Sequence, residues 1–366
     1  MKIPLVDLKA QYDTIKPEID TSIQRVLDKT SFILGDEVAA FEAAFAKVVG
    51  ANGAVGVGSG TAALQLAMLA CGIGPGDEVI TSAHTFIATA EAISHTGARP
   101  VFVDIDARSF NLDPNQVEKA VSSRTRAILP VHLYGQPADL DPLLDIEQSK
   151  DLWLIEDAAQ AHAAEYKGRR CGSIGHIACF SFYPGKNLGA YGDAGAVTSN
   201  DESLLAKVRK LHNHGRTTKY EHDEIGWGER LDALQAAVLG AKLPHLESWT
   251  EARRSHARIY SELLAGCDVT TPYESPDARH VYHLYVIRSR HRNDLLDFLK
   301  TNGVDAGIHY PIPLHRQPAY AQQGYSDVRL PVSEQAAAEV LSLPMYPELN
   351  EAQIHYVAEV VRQFHK

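Results

Sequence analysis

Ile177-Ala178-Cys179-Phe180-Ser181-Phe182-Tyr183-Pro184-Gly185-Lys186-Asn187-Leu188-Gly189 opens as a strand and closes as a glycine-bearing turn that carries a lysine. Gly192 and Gly195 continue the turn. Upstream, Leu152-Trp153-Leu154-Ile155-Glu156-Asp157 is a second apolar run, and it ends in acid. Near-continuous apolar runs, rather than strict alternation, mark strands of a parallel sheet covered on both faces.

The same pattern repeats on either side. Strands are predicted over 54–57, 78–81, 100–104, 126–133, 178–182 and 194–198, with helices over 61–70 and 85–95 between them. Ile15, Ile19, Ile23, Val26 and Leu27 have helical spacing, as do Val38, Phe41, Phe45 and Val48 before Gly50. After Arg230 the character changes. A long helical stretch over 231–264 breaks at Pro244, a strand is predicted over 282–288, a helix over 293–301 and a strand over 306–310. An amphipathic helix with Ile354, Val357, Val360, Val361 and Phe364 closes the chain. The expectation is an α/β protein with a large, mostly parallel sheet domain over 1–230 and a smaller α/β domain over 231–366.

In such sheets ligands bind at the carboxyl ends of the strands. Gly58, Asp157 and Lys186 all fall just after predicted strand ends. A lone lysine is ordinarily a solvated surface group. An amine among glycines, with a carboxylate at a separate strand end, is instead what pyridoxal phosphate chemistry requires. The amine bonds the cofactor aldehyde, and the carboxylate keeps the pyridine nitrogen protonated. Gly56-Val57-Gly58-Ser59-Gly60-Thr61 follows a strand and opens a helix, so its backbone N–H groups suit a phosphate. It is neither a Walker loop nor a full dinucleotide fingerprint, and alone it reads equally as a tight turn. Phe86 after the 78–81 strand suits stacking on a flat ring, or a core position. Asp157 before Ala158-Ala159-Gln160 would also serve as a helix N-cap.

Composition sets the remaining bounds. The 366 residues are 45% hydrophobic and 22% charged, as in ordinary globular proteins. A net charge of −11 argues against nucleic acid or an anionic membrane as the main partner. No run approaches the roughly 18 apolar residues of a spanning helix, and the first residues lack a signal-peptide core. Cys71, Cys171, Cys179 and Cys267 form no CxxC pair, which suits a reducing, cytoplasmic setting. The pairs His212/His214, His280/His283 and His309/His315 lack carboxylate or cysteine partners at ligand spacing, so no metal site is expected. No GxSxG elbow occurs, so serine hydrolysis is not indicated.

Segments over 4–12, 33–42, 56–67, 74–93, 100–106, 132–141, 155–175, 181–197, 230–243 and 308–320 together resemble the DegT/DnrJ/EryC1/StrS sugar aminotransferases, almost end to end. The resemblance implies an aspartate-aminotransferase-like fold type I with a seven-stranded sheet, a pyridoxal phosphate cofactor and a homodimer with shared sites. Lys186 would carry the cofactor and move a proton, Asp157 would pair with the pyridinium, and Gln160 would bond the ring hydroxyl. Ser59, Gly60, Thr61 and Ser181 would hold the phosphate, and Phe86 would stack on the ring. Arg230 would reach the substrate or cofactor of the neighbouring subunit. His309, Tyr310 and His315 would line the sugar-nucleotide pocket. The YPGKNLG and YPIPLHRQ segments look most like members that move an amino group from L-glutamate to carbon 3 of a dTDP- or UDP-linked keto-hexose. Amination at carbon 4, another pyridoxal-phosphate reaction such as dehydration, and a non-catalytic regulator are the competing readings. Lys186 argues against the dehydrating branch, where His stands at this position. One departure stands out: position 228 is Gly where the family usually has an Asn that reaches the phosphate across the dimer. Glu229, beside it, is expected to point away.

Overall fold

A computed structural model describes residues 1–365. Seven strands form the main sheet: β1 (Gly53–Val57), β2 (Glu78–Ser82), β3 (Arg99–Val103), β4 (Thr125–Leu129), β5 (Trp153–Asp157), β6 (Ile177–Ser181) and β7 (Gly195–Ser199), in the order β1-β7-β6-β5-β4-β2-β3. Only β7 runs against its neighbours, pairing antiparallel with both β1 and β6. The expectation of a mostly parallel seven-stranded sheet therefore holds.

Helices cover both faces. Val55, Val57, Val79, Ile155 and Val197 pack with Leu66 and Met68 of the helix Gly60–Ala70 on one side. On the other, Phe41 and Phe45 of the helix Asp36–Val49 meet Phe180 and Phe182 edge-on, with ring centroids 4.9 to 5.4 Å apart. Each such pair adds about 0.5–1.5 kcal/mol beyond area burial. The period of two along β6 gives this packing its use. Phe180 and Phe182 face the helix, so Ser181 between them faces the opposite side, where the cavity lies.

The second core joins the antiparallel pair β8 (Tyr285–Arg288) and β9 (Val340–Leu343) to the helices Arg292–Thr301 and Glu351–Phe364. Position 230 does not separate the two cores. Leu231, Ala233, Ala236, Ala237, Leu239 and Leu243 pack with Phe41 and Phe180, whereas Ile3, at the opposite end of the chain, packs with Tyr260 and Tyr285.

Three predicted elements differ. The helix expected from 85 begins at Ala88, because the chain before it is open and sets Thr85 and Phe86 into the cavity wall. The strand expected to reach 133 stops at Leu129. Pro130 has no N–H to continue the ladder, and Leu133–Gly135 form a tight turn. The strand expected over 306–310 is not formed; only Gly307 bridges to Ser342, and the chain then turns to bring His309 and Tyr310 to the cavity.

Candidate active site

A cavity of about 670 Å³ opens at the carboxyl ends of the parallel strands. Ser59, Gly60, Thr61, Phe86, Asp157, Gln160, Ser181, Lys186, His309 and Tyr310 all line it. They come from segments spread along the chain from Ser59 to Tyr310.

The phosphate side is a helix start. Ser59 caps the helix Gly60–Ala70, its Oγ accepting from Ala62 N at 3.1 Å. The N–H groups of Gly60 and Thr61, ahead of the first helical hydrogen bond, have no partner among the described residues. A Cβ on Gly60 would lie 2.6 Å from Ser181 Cβ, so only glycine lets this turn press against β6. Two free N–H groups, a helix dipole and the neighbouring Ser181 hydroxyl fit a phosphate monoester.

On β5, Glu156 and Asp157 face opposite ways. Asp157 faces the cavity, accepting from Thr89 Oγ1 at 2.9 Å and from Ala159 N at 3.2 Å. Burial raises the Asp157 carboxyl above its ordinary value, opposed by these bonds and by Lys186. A cationic ring nitrogen placed against it would reverse the shift. Glu156 faces inward and accepts from Gly172, Ile174 and Gly175 N at 2.8 to 2.9 Å, with His132 Nε2 also at 2.9 Å. Burial would raise this carboxyl, yet the His132 bond and the N–H groups hold it below its ordinary value. Ala138 N donates to His132 Nδ1, which leaves the imidazole proton on Nε2, facing Glu156. His132, Glu156 and Cys171 converge within 4.8 Å, a cluster that the histidine spacing in the sequence did not show. The carboxylate is already saturated by N–H donors, so this cluster braces the 172–175 turn.

The Lys186 loop is braced from three directions. Lys186 N donates to Tyr183 O at 2.8 Å, Asn187 Nδ2 to Val281 O at 3.0 Å, and buried Lys242 Nζ to Gly189 O at 2.7 Å. Burial pushes the Lys186 amine down to about 8, with Asp157 pulling the other way. A lysine so depressed supplies the neutral nucleophile needed for carbonyl condensation.

Gln160 Oε1 accepts from Tyr134 N at 2.6 Å, which turns its amide NH2 toward Tyr310 Oη at 3.1 Å. The Phe86 ring, half exposed, stands 5.8 Å from that of Tyr310. His283 also lines the cavity, and its buried Nδ1 has no partner.

Two predicted residues lie elsewhere. His315 is fully buried, with Nε2 3.0 Å from Glu334 Oε1, and it does not line the cavity. The expectation that it lines the pocket is corrected: the imidazole is hydrogen-bonded to Glu334 beneath the surface, and burial keeps it below its ordinary pKa and so neutral. Arg230 bonds Asn213 Oδ1 at 3.1 Å and is also outside the cavity of its own chain. Gly228 faces the His214 imidazole, whose Cε1 would stand 3.1 Å from a Cβ there. Glu229 does not line the cavity, but its carboxylate lies against Gly58, one residue before the phosphate turn.

A buried lysine, a strand-end carboxylate and a phosphate-binding helix start, on this fold, define a pyridoxal-phosphate-dependent aminotransferase of fold type I. The family model described as the DegT/DnrJ/EryC1/StrS aminotransferase family matches residues 13–362, and the chain belongs to that family. It is 48% identical to the "Pleiotropic regulatory protein" of Geobacillus stearothermophilus, covering 100% of this chain and 99% of that protein. It is 47% identical to the dTDP-3-amino-3,4,6-trideoxy-alpha-D-glucose transaminase of Streptomyces venezuelae, covering 99% and 96%. The solved structure of S. venezuelae DesV, in complex with a ketimine intermediate, superposes with a TM-score of 0.98 at 47% identity, over 100% of this chain and 99% of that one. Among the described residues, no helix is long and apolar enough to cross a membrane.

Proposed function

We propose that this enzyme moves an amino group from L-glutamate to carbon 3 of a dTDP- or UDP-linked keto-hexose, in amino-sugar biosynthesis. The carrying observation is the convergence of Lys186, Asp157, Gln160 and the free N–H groups of Gly60 and Thr61 on one cavity. The sugar nucleotide rests on the named activity of the Streptomyces relative. The same convergence supports catalysis over a purely regulatory role, the name borne by the Geobacillus relative notwithstanding.

Pyridoxal phosphate, when bound, supplies the electron sink for the carbanion left by proton removal at the substrate carbon. Gly60 and Thr61 N–H, with the Ser59 and Ser181 hydroxyls, would hold its phosphate. Asp157 would accept from the ring nitrogen's N–H, Gln160 would donate to the ring oxygen, and Phe86 would cover the ring face. Lys186 Nζ would take the proton from the glutamate α-carbon and, in the second half of the exchange, deliver one to carbon 3 of the sugar. Glutamate leaves as 2-oxoglutarate, and the keto sugar departs as the amine.

A second copy of the chain completes the site in this proposal. No arginine lines the cavity among the described residues, although a nucleoside diphosphate needs cations. Arg230, turned from its own cavity, is available to a partner's. The four cysteines are all unpaired, which supports a reducing, cytoplasmic setting.

The test is spectroscopic first. L-Glutamate added to the holoenzyme bleaches the visible band of the lysine-bound cofactor, and a 3-keto nucleotide sugar restores it. A spectrum unmoved by glutamate at any pH between 6 and 9 sinks the proposal. Turnover only with 4-keto sugars moves the reaction to carbon 4. Lys186→Ala is expected to abolish both changes.

A further inference from the structure

Tyr134 sits in the turn after β4, 3% exposed, and does not line the cavity. Its φ of 60° and ψ of 2° are left-handed, a conformation that a tyrosine keeps only where its surroundings hold it. The conformation sends its two polar groups to two different walls of the site. The main-chain N–H donates to Gln160 Oε1 at 2.6 Å. The phenol Oη reaches the main-chain carbonyl of His309 and lies 2.8 Å from His84 Nε2.

These contacts have a fixed direction. A carbonyl only accepts, so the single phenol proton points at His309 O. His84 must then donate from Nε2, which leaves its buried Nδ1 unprotonated and without a partner. Burial lowers the His84 imidazole to about 4, in keeping with a neutral ring. The chain of donors thus runs His84, Tyr134, His309, and the main-chain bond separately fixes the Gln160 amide. Gln160 and Tyr310, the residue after His309, face each other across the cavity at 3.1 Å.

We infer that Tyr134 is a positioning residue that holds the His309–Tyr310 wall in register with Gln160 and so sets the seat of the sugar. The inference rests on the nucleotide-sugar reading given above. The main-chain bond survives substitution of the ring hydroxyl, so the two walls are separable by experiment. The hydroxyl governs the sugar wall and the N–H governs the cofactor wall.

The experiment uses the holoenzyme and Tyr134→Phe. The expected result is a rise of about tenfold in KM for the 3-keto nucleotide sugar and in Kd for its 3-amino product, one neutral hydrogen bond to a ligand wall being worth that order. The kcat at saturation, the glutamate half-reaction and the cofactor's visible spectrum should change less than twofold. His84→Leu, which removes only the donor onto Oη, should raise the same KM by a smaller factor, and His84→Gln should restore it. This pair carries the test if Tyr134→Phe does not fold. An unchanged KM, or an equal loss in the glutamate half-reaction, overturns the inference alone. A wild-type enzyme that aminates no nucleotide-linked keto sugar overturns the substrate reading, and the inference falls with it.

Discussion

Thr89 Oγ1 donates to Asp157 Oδ2 across 2.9 Å inside the cavity wall. It is one of two protein bonds that offset the burial of this carboxylate; the other is the Ala159 N–H. A hydrogen bond to a charged group contributes about 1.5–3 kcal/mol. Thr89→Val keeps the shape and removes the donor, so the Asp157 pKa rises further. Asp157 serves the ring nitrogen only when ionised. The acid limb of the pH–kcat profile should therefore move to higher pH, with kcat at neutral pH lowered several-fold and thermal stability little changed. A profile identical to wild type would show that Thr89 has no electrostatic role.

The 2.6 Å gap between a Gly60 Cβ and Ser181 Cβ makes a second prediction. Gly60→Ala forces the helix start away from β6, and the Gly60 and Thr61 N–H groups move with it. Overpacking of this kind costs about 1–3 kcal/mol. Pyridoxal phosphate affinity should fall at least tenfold, measured by equilibrium dialysis, because the free N–H groups no longer converge on one point. Gly50→Ala makes the comparison. Its Cβ meets nothing within 4 Å, although its φ of 77° is itself unfavourable for alanine. It should lower stability while leaving cofactor affinity intact.

Much of this was legible in the sequence, and the illegible part has a physical pattern. Apolar runs over 152–157 and 177–182 mark buried strands, and strand ends mark the cavity, so Asp157 and Lys186 could be found without coordinates. Glu156 could not be told from Asp157 by composition; only the alternation of β5 separates them. Thr89, Tyr134 and Lys242 lie inside the segments 74–93, 132–141 and 230–243 that carry the resemblance, but no side-chain pattern there gives them a role, and His283 stands in the sequence only as half of the His280/His283 pair. Thr89 lies four residues beyond Thr85, in the first turn of a helix that starts later than the sequence pattern suggests; Tyr134 reaches its partners through a left-handed backbone, and Lys242 reads as a solvated helix residue until it is found buried against Gly189. His315 shows the converse. Its segment runs beside the cavity, but Glu334, from a distant helix, claims the imidazole.

The buried Lys186 amine predicts a pH dependence for cofactor loading. The neutral amine attacks the cofactor aldehyde, and its pKa is pushed down to about 8 from the ordinary 10.5. The neutral fraction therefore climbs through pH 8 and is nearly complete well below 10.5. The rate at which cofactor-free protein gains the visible band on mixing with pyridoxal phosphate should rise through about pH 8 and then level off. Asp157→Asn removes the charge that favours the ammonium form, so the rise should shift to lower pH. A midpoint near 10 in wild type would mean the amine is solvated before the cofactor arrives.

Glu156 makes the clearest stability prediction, because its neighbours leave no room for a compromise. Each of its oxygens faces two N–H donors: Oε1 takes those of Ile174 and Gly175, and Oε2 those of Gly172 and His132. In Glu156→Gln the amide NH2 must replace one oxygen, so it confronts two donors and leaves both unpaired. Breaking a fully buried charged network in this way costs about 3–5 kcal/mol. Urea unfolding at neutral pH should show a loss of that order. The sign with pH follows from the depressed folded-state pKa. The stabilisation is present above the unfolded carboxyl value of 4.5 and is lost as pH falls through the lower folded value. The gap between wild type and Glu156→Gln should therefore narrow on acidification below that range and stay constant above it. A variant within about 1 kcal/mol of wild type at neutral pH would show that the 172–175 turn finds other acceptors for its N–H groups.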